Sequence, residues 1–125
     1  MRALLERYHH VLTPTAGVPA FRIDRPLPAE IGGHPVERFY DAFLFTYAFS
    51  VTGLPALSVP CGFTGSGLPV GLQIVGRRLR EDTVLESAAA MAAAAPDYYR
   101  RPPLDRLPAA GTLAEDLRTT GFSLT

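Results

Sequence analysis

The chain has 125 residues, 47% of them hydrophobic and 19% charged, with 12 basic residues balanced by 12 acidic ones. This is the composition of a globular domain with apolar surface enough for a core. A net charge of zero excludes broad phosphate tracking and docking on anionic membranes. The lone cysteine, Cys61, rules out an internal disulfide, and every basic residue is Arg, so the chain holds no lysine.

Taken in chain order, residues 1 to 8 place Leu4, Leu5 and Tyr8 on one helical face and Arg2, Glu6 and Arg7 on the other. They lack the apolar centre of a signal peptide. No apolar run approaches the roughly 18 residues of a membrane span, and we expect a cytoplasmic protein. His9 to Thr13 reads as a short strand ended by Pro14. Between Thr15 and Pro35 the density of glycine and proline predicts a loop. Residues 36 to 49 are rich in aromatics, and Phe39, Phe43 and Tyr47 at i, i+4 and i+8 predict one helix face.

Two strands are expected next, Ala56 to Pro60 and Val70 to Val75, joined by a turn over Thr64-Gly65-Ser66-Gly67. Neither alternates cleanly between apolar and polar residues, so both read as covered on two faces. Residues 81 to 95 predict a helix with the stripe Val84, Leu85, Ala88, Met91, Ala92 and Ala95. Glu81 and Asp82 suit its N-terminal dipole and Pro96 stops it. Arg77, Arg78 and Arg80 read as a solvated strand end facing Glu81 and Asp82. From Tyr98 to Pro108 an extended tail is expected, with one or two helical turns over Thr112 to Thr119. Two or three short strands and one firm helix leave apolar sheet edges. The missing strands are therefore expected elsewhere, upstream in a longer polypeptide or in another chain.

Thr52-Gly53-Leu54-Pro55-Ala56-Leu57-Ser58-Val59-Pro60-Cys61-Gly62-Phe63, answered by Gly67-Leu68-Pro69-Val70-Gly71-Leu72-Gln73-Ile74-Val75-Gly76, resembles the C-terminal signature of the amidase signature family of serine amide hydrolases. Tyr8 to Thr15 is similar to a family segment that ends in Thr-Pro-Thr, with His9 where an aspartate would be. Phe45 to Gly53 resembles the approach Thr-x-x-Phe-Asn-x-x-Gly, with Ser50 in place of the Asn. The resemblance implies an α/β fold: part of the mixed β-sheet with flanking helices of the amidase signature fold, incomplete in this chain. Residues 1 to 95 would be the C-terminal part of an amidase-like domain and 96 to 125 a Pro/Arg-containing tail.

The implied activity is amide C–N hydrolysis by acyl transfer. A serine attacks the carbonyl, a lysine acting through a second serine manages the proton, and backbone amides hold the oxyanion. That Ser-Ser-Lys set has no counterpart here, and Gly65-Ser66-Gly67 reads as a turn. No catalytic residue, cofactor or metal ligand is therefore assigned, and the chain alone is expected to be inactive. In the family the segment before the signature faces the acyl pocket. The resemblance thus makes Phe43, Phe45, Tyr47 and Phe49 candidate substrate-binding residues for an apolar or aryl amide, with core packing as the bland alternative. Amidotransferase A subunits carry an acid two positions before an aromatic-Thr pair; Phe43 stands there, before Phe45-Thr46, which implies that a glutamine α-amine is not handled.

Other chemistry is thin. Ser58 between Leu57 and Val59 reads as strand core, and Cys61 as a small buried side chain beside a turn. Adjacent His9 and His10 point to opposite faces of a strand and cannot chelate together, His34 stands alone in a loop, and Asp24 and Glu30 read as loop solvation. Gln73, polar inside an apolar strand, must find a hydrogen-bond partner. Besides the amidase reading, three alternatives stay open: a non-catalytic domain acting in binding or assembly, a fragment of an A-type amidotransferase chain, and last a small enzyme built on Cys61. The expected partners are a small-molecule amide, once joined to the missing N-terminal part, and a second copy through exposed sheet edges. Neither nucleic acid nor membrane is expected.

Overall fold

The computed structural model describes residues 1–100 of the chain. Helix α1 (Arg2–Arg7) leads into strand β1 (Val11–Pro14), which starts two residues later than the sequence implied and includes Pro14. Only Leu5 of the apolar face of α1 is buried; Leu4 and Tyr8 are exposed. The helix is fastened at its end by the Arg77 guanidinium, whose Nε donates to Leu5 O at 2.6 Å. A cation there also faces the negative end of the helix dipole. His10 half-buries before β1, its Nδ1 3.4 Å from Ser87 Oγ, and its Nε2 is buried with no partner among the described residues.

The expected loop over residues 15 to 35 holds a small hairpin, β2 (Glu30–Ile31) with β3 (His34–Pro35), turned by Gly32 and Gly33 at φ 58° and 81°. Two-residue strands carry no periodicity, so composition alone hid them. The aromatic segment is also not one helix. It breaks at Phe43 (φ −115°, ψ 15°) into α2 (Phe39–Ala42) and α3 (Leu44–Ser50). Asp41 caps the start of α2 by accepting from the Arg38 backbone N–H at 3.1 Å.

Strands β4 (Ala56–Phe63) and β5 (Pro69–Val75) form a hairpin, and β1 pairs on the other side of β5, so the order is β1-β5-β4, all antiparallel. Its turn is held by Leu68 O accepting from Thr64 N–H at 2.8 Å and by Thr64 Oγ1 accepting from Leu68 N–H at 3.0 Å. β4 runs past Pro60, where the sequence suggested an end, because a bulge between Pro60 and Gly62 absorbs the irregularity. Gly62 sits there at φ 146°, a value that side-chain-bearing residues rarely adopt. Both outer strands carry a proline, Pro14 and Pro60, which removes a donor from each edge.

Helix α4 (Glu81–Ala94) covers one face of the sheet. Val84 packs with Val59 and Ile74, and Leu57, Leu72, Ala88 and Met91 close around them. Leu85, placed in the apolar stripe by its spacing, is 59% exposed instead. At the start of α4, the Arg80 guanidinium hydrogen-bonds Asp82 at 2.9 Å and holds its carboxyl below the usual carboxylate range. A depressed carboxyl stabilises the fold above its unfolded pKa and loses that contribution as pH falls through the folded value. Both groups are at the surface, so solvent screens the pair. Pro96–Tyr99 forms a single 3-10 turn, so Tyr98 and Tyr99 depart from the extended tail expected from Tyr98 on, while Arg100 is extended. The rest of that tail, with the expected turns over 112 to 119, lies outside the described residues.

The expectation that both strands are covered on two faces holds for the C-terminal end of β5, where Gln73, Ile74 and Val75 are all buried. It fails for β4, whose Ala56 and Ser58 are exposed on the side away from α4. Gly76, just past β5, donates its N–H to Pro55 O at 2.9 Å, and a Cβ there would fall on Val84 Cγ2. Val84 is β-branched and buried, so it has little room to yield. Gly76→Ala is expected to lower stability by roughly 1–3 kcal/mol through overpacking, read as a lower urea midpoint at unchanged slope.

Candidate functional site

The face of the sheet opposite α4 carries a row of polar residues beside the apolar Val75. Register sets Thr13, Gln73 and Ser58 side by side across β1, β5 and β4. Gln73 is 4% exposed, and its Nε2 donates to Thr13 Oγ1 at 3.1 Å and to Phe45 O at 3.4 Å. Beside it the hydroxyls of Thr15 and Ser58 meet at 2.7 Å. They do so over Gly71: a Cβ on that residue would stand 2.9 Å from each oxygen and 3.2 Å from Thr15 Cβ. Ser58 is therefore not strand core. It is an exposed hydroxyl on the open face, with Thr15 as its partner.

These groups seat α3. Thr46 Oγ1 donates to Thr15 O at 2.8 Å, one residue on from the Phe45 carbonyl that Gln73 reaches. Ser50, at the position of the family's Asn, turns its hydroxyl back onto Thr46 O at 3.0 Å, the i−4 bond that Ser makes inside helices. Of the four candidate aromatics, Phe43, Phe45 and Tyr47 stand exposed on α2–α3, while Phe49 is 6% exposed and belongs to the core. The Tyr40 and Tyr47 rings lie 5.4 Å apart at 53°, a tilted pair of ordinary aromatic geometry.

A groove of about 640 Å³ runs beside the hydroxyl pair, between the Thr15–Ala20 segment and the β4–β5 strands, with Gly17, Pro60 and Val70 in its walls. None of the four candidate aromatics lines it. A second cavity, of about 690 Å³, lies between α1 and the Arg77-Arg78 segment. The Cys61 thiol donates to Val70 O at 3.5 Å and is half-buried. In the loop, Arg22 forks onto Asp24 at 2.8–3.1 Å, and that hydrogen bonding holds the Asp24 carboxyl below its usual range. Sequence reasoning missed Thr15, Thr46 and Ser58 as a connected set. Their signal was the period-two spacing of Thr13 and Thr15, which becomes meaningful only once the register with Gln73 and Ser58 is known.

Among the described residues, no helix is long and apolar enough to cross a membrane, and no three His, Cys, Asp or Glu side chains gather in a metal-holding group. The family model described as Amidase matches residues 1–85. The A chain of a glutamyl-tRNA(Gln) amidotransferase from Moorella thermoacetica is 42% identical over 99 residues, 79% of this chain and 19% of that protein. Its counterpart from Geobacillus kaustophilus is 40% identical over 101 residues, 81% of this chain and again 19% of the relative. The chain thus spans about a fifth of the length of these curated relatives.

Among solved structures, a bacterial aryl acylamidase of the amidase signature enzymes superposes with a TM-score of 0.70 at 29% identity, covering 82% of this chain and 22% of that one. A 6-aminohexanoate cyclic dimer hydrolase gives 0.67 at 31% identity, with 82% and 23% covered. The antiparallel sheet with helices on it is the arrangement the chain shares with these neighbours. Gly71→Ala is expected to part the Thr15 and Ser58 hydroxyls and to cost roughly 1–3 kcal/mol. Thermal melts would record the loss, and part of it should vanish in the background of Ser58→Ala, which removes one of the three close atoms and leaves the two of Thr15.

Proposed function

The chain belongs to the amidase signature family, and from that premise we propose that it is the carboxyl-terminal region of an amide hydrolase. In this reading it supplies part of the sheet and one wall of the acyl pocket. Phe43, Phe45 and Tyr47 are the contact residues of the wall, and the buried Phe49 anchors them from behind. One observation carries the reading: three large aromatic rings stand exposed on a segment that Thr46 and Gln73 tie to the sheet. Exposed apolar clusters mark surfaces that another body covers, here the substrate or the remainder of the enzyme.

The bond cleavage itself falls to the Ser-Ser-Lys groups of the remainder of such an enzyme, since this chain holds no lysine. Phe43 favours a neutral apolar or aryl amide, because a ring stands where the amidotransferase branch is expected to carry an acid. A small amide is the partner this reading needs. Balanced charge supports neither a nucleic-acid surface nor a membrane one, and the lone Cys61 suits a reducing, cytoplasmic setting. Self-association through the sheet edges gains little support, given Pro14 and Pro60.

A second reading rests on the curated relatives, which are named as A chains of glutamyl-tRNA(Gln) amidotransferases. In it the segment would serve a glutamine-dependent enzyme. Titrating the 125-residue chain with acetanilide and with glutamine, while following ring resonances, separates the two. Acetanilide is expected to shift Phe43, Phe45 and Tyr47, glutamine is not, and Phe43→Asp is expected to lose the acetanilide response. Shifts selective for glutamine would favour the second reading. Release of aniline by the chain alone, lost in Cys61→Ser, would overturn both.

A further inference from the structure

Gln73 makes its two hydrogen bonds in different directions. One runs sideways within the sheet to Thr13 Oγ1 on β1, and the other rises to Phe45 O on α3. A carboxamide nitrogen has two hydrogens in a fixed plane, so the two bonds tie the placement of α3 to the pairing of β1. The next residue of α3 is held independently, by Thr46 Oγ1 on Thr15 O. Residues 45 and 46 are thus pinned from two points of the sheet, immediately after the helical break at Phe43. Turning α3 by one residue rotates it by about 100° and would break both bonds. An apolar side chain at 73 would hold the helix near the sheet without fixing its rotation, because apolar contact has no direction.

We infer that Gln73 is a positioning residue that sets the rotation of α3 and thereby which rings of Phe43, Phe45 and Tyr47 face the acyl group. The choice of rings rests on the pocket-wall reading above; the setting of α3 does not. Gln73 acts through the Phe45 carbonyl and touches no reacting atom. It is buried, so its role is not open to a water-exposed side chain, and the two partners lie on different elements, 60 and 28 residues away in sequence.

Amide hydrogen exchange on the 125-residue chain tests this. Gln73→Met keeps the length and bulk and removes the donor. Its amides in the last turn of α3 are expected to exchange about tenfold faster or more, with those of β5 and α4 unchanged. Equal acceleration in all elements would mark Gln73 as a general core residue and overturn the inference, as would an unchanged α3. Should Gln73→Met not fold, the wild-type chain decides: protected Gln73 carboxamide protons are expected, and freely exchanging ones overturn the assignment. Thr13→Ala, which removes one partner and leaves Gln73, is expected to loosen those protons severalfold, and no change there counts against it. Acetanilide shifts in the wild type test the wall reading separately. Faster α3 exchange with no acetanilide response would retain the positioning role and sink the wall. A weakened response with unchanged α3 exchange would do the reverse.

Discussion

A carboxamide enclosed in the middle of a sheet cannot be left without partners, because the desolvation cost of a buried polar group exceeds what its hydrogen bond gains in water. Gln73 meets that demand by reaching one neighbour in the sheet and one helix above it. The two faces of the sheet are consequently held by different physics. Under α4, Val59, Ile74 and Val84 pack by shape and apolar area, which tolerates small shifts. On the other face, oriented hydrogen bonds select one placement of α3 and penalise the rest. The aromatic segment sits on the face where position is specified.

β5 also works through what it lacks. Two glycines in and just after it stand where other elements come close: Gly71 under the Thr15 and Ser58 hydroxyls, and Gly76 against Val84. Between them lie Gln73, Ile74 and Val75, the most enclosed run among the described residues. The strand therefore alternates between side chains that fill space and positions that concede it. β4 handles its own irregularity by the bulge at Pro60–Gly62, which takes Cys61 out of the Cα register with β5 while its thiol still reaches Val70 O.

Much of this was legible in the residues. The β4–β5 hairpin announced itself through Pro55, Pro60 and the glycines of its turn, and α4 through its acidic start and the Pro96 stop. The need of Gln73 for a partner could be stated from chemistry alone; the identity of that partner could not, since Phe45 reaches it only through tertiary packing. The break at Phe43 was hidden for a related reason. The i, i+4, i+8 spacing of aromatics fits a continuous helix, and nothing in it registers that residues 45 and 46 are tied to other elements just past the break. Leu85 misled because an apolar residue at helical spacing need not be buried when the sheet beneath is only three strands wide. The hydroxyl pair escaped because Thr15 and Ser58 are 43 residues apart, and only the strand register brings them together.

The fastening of α1 has a consequence for how the fold answers its surroundings. Its end is held by Arg77, whose planar guanidinium donates through Nε in a fixed direction. Ionic strength has little purchase on that hydrogen bond between the first helix and the far end of the sheet, because the acceptor is a neutral carbonyl at hydrogen-bond distance. Salt screens only the weaker attraction between the cation and the helix dipole.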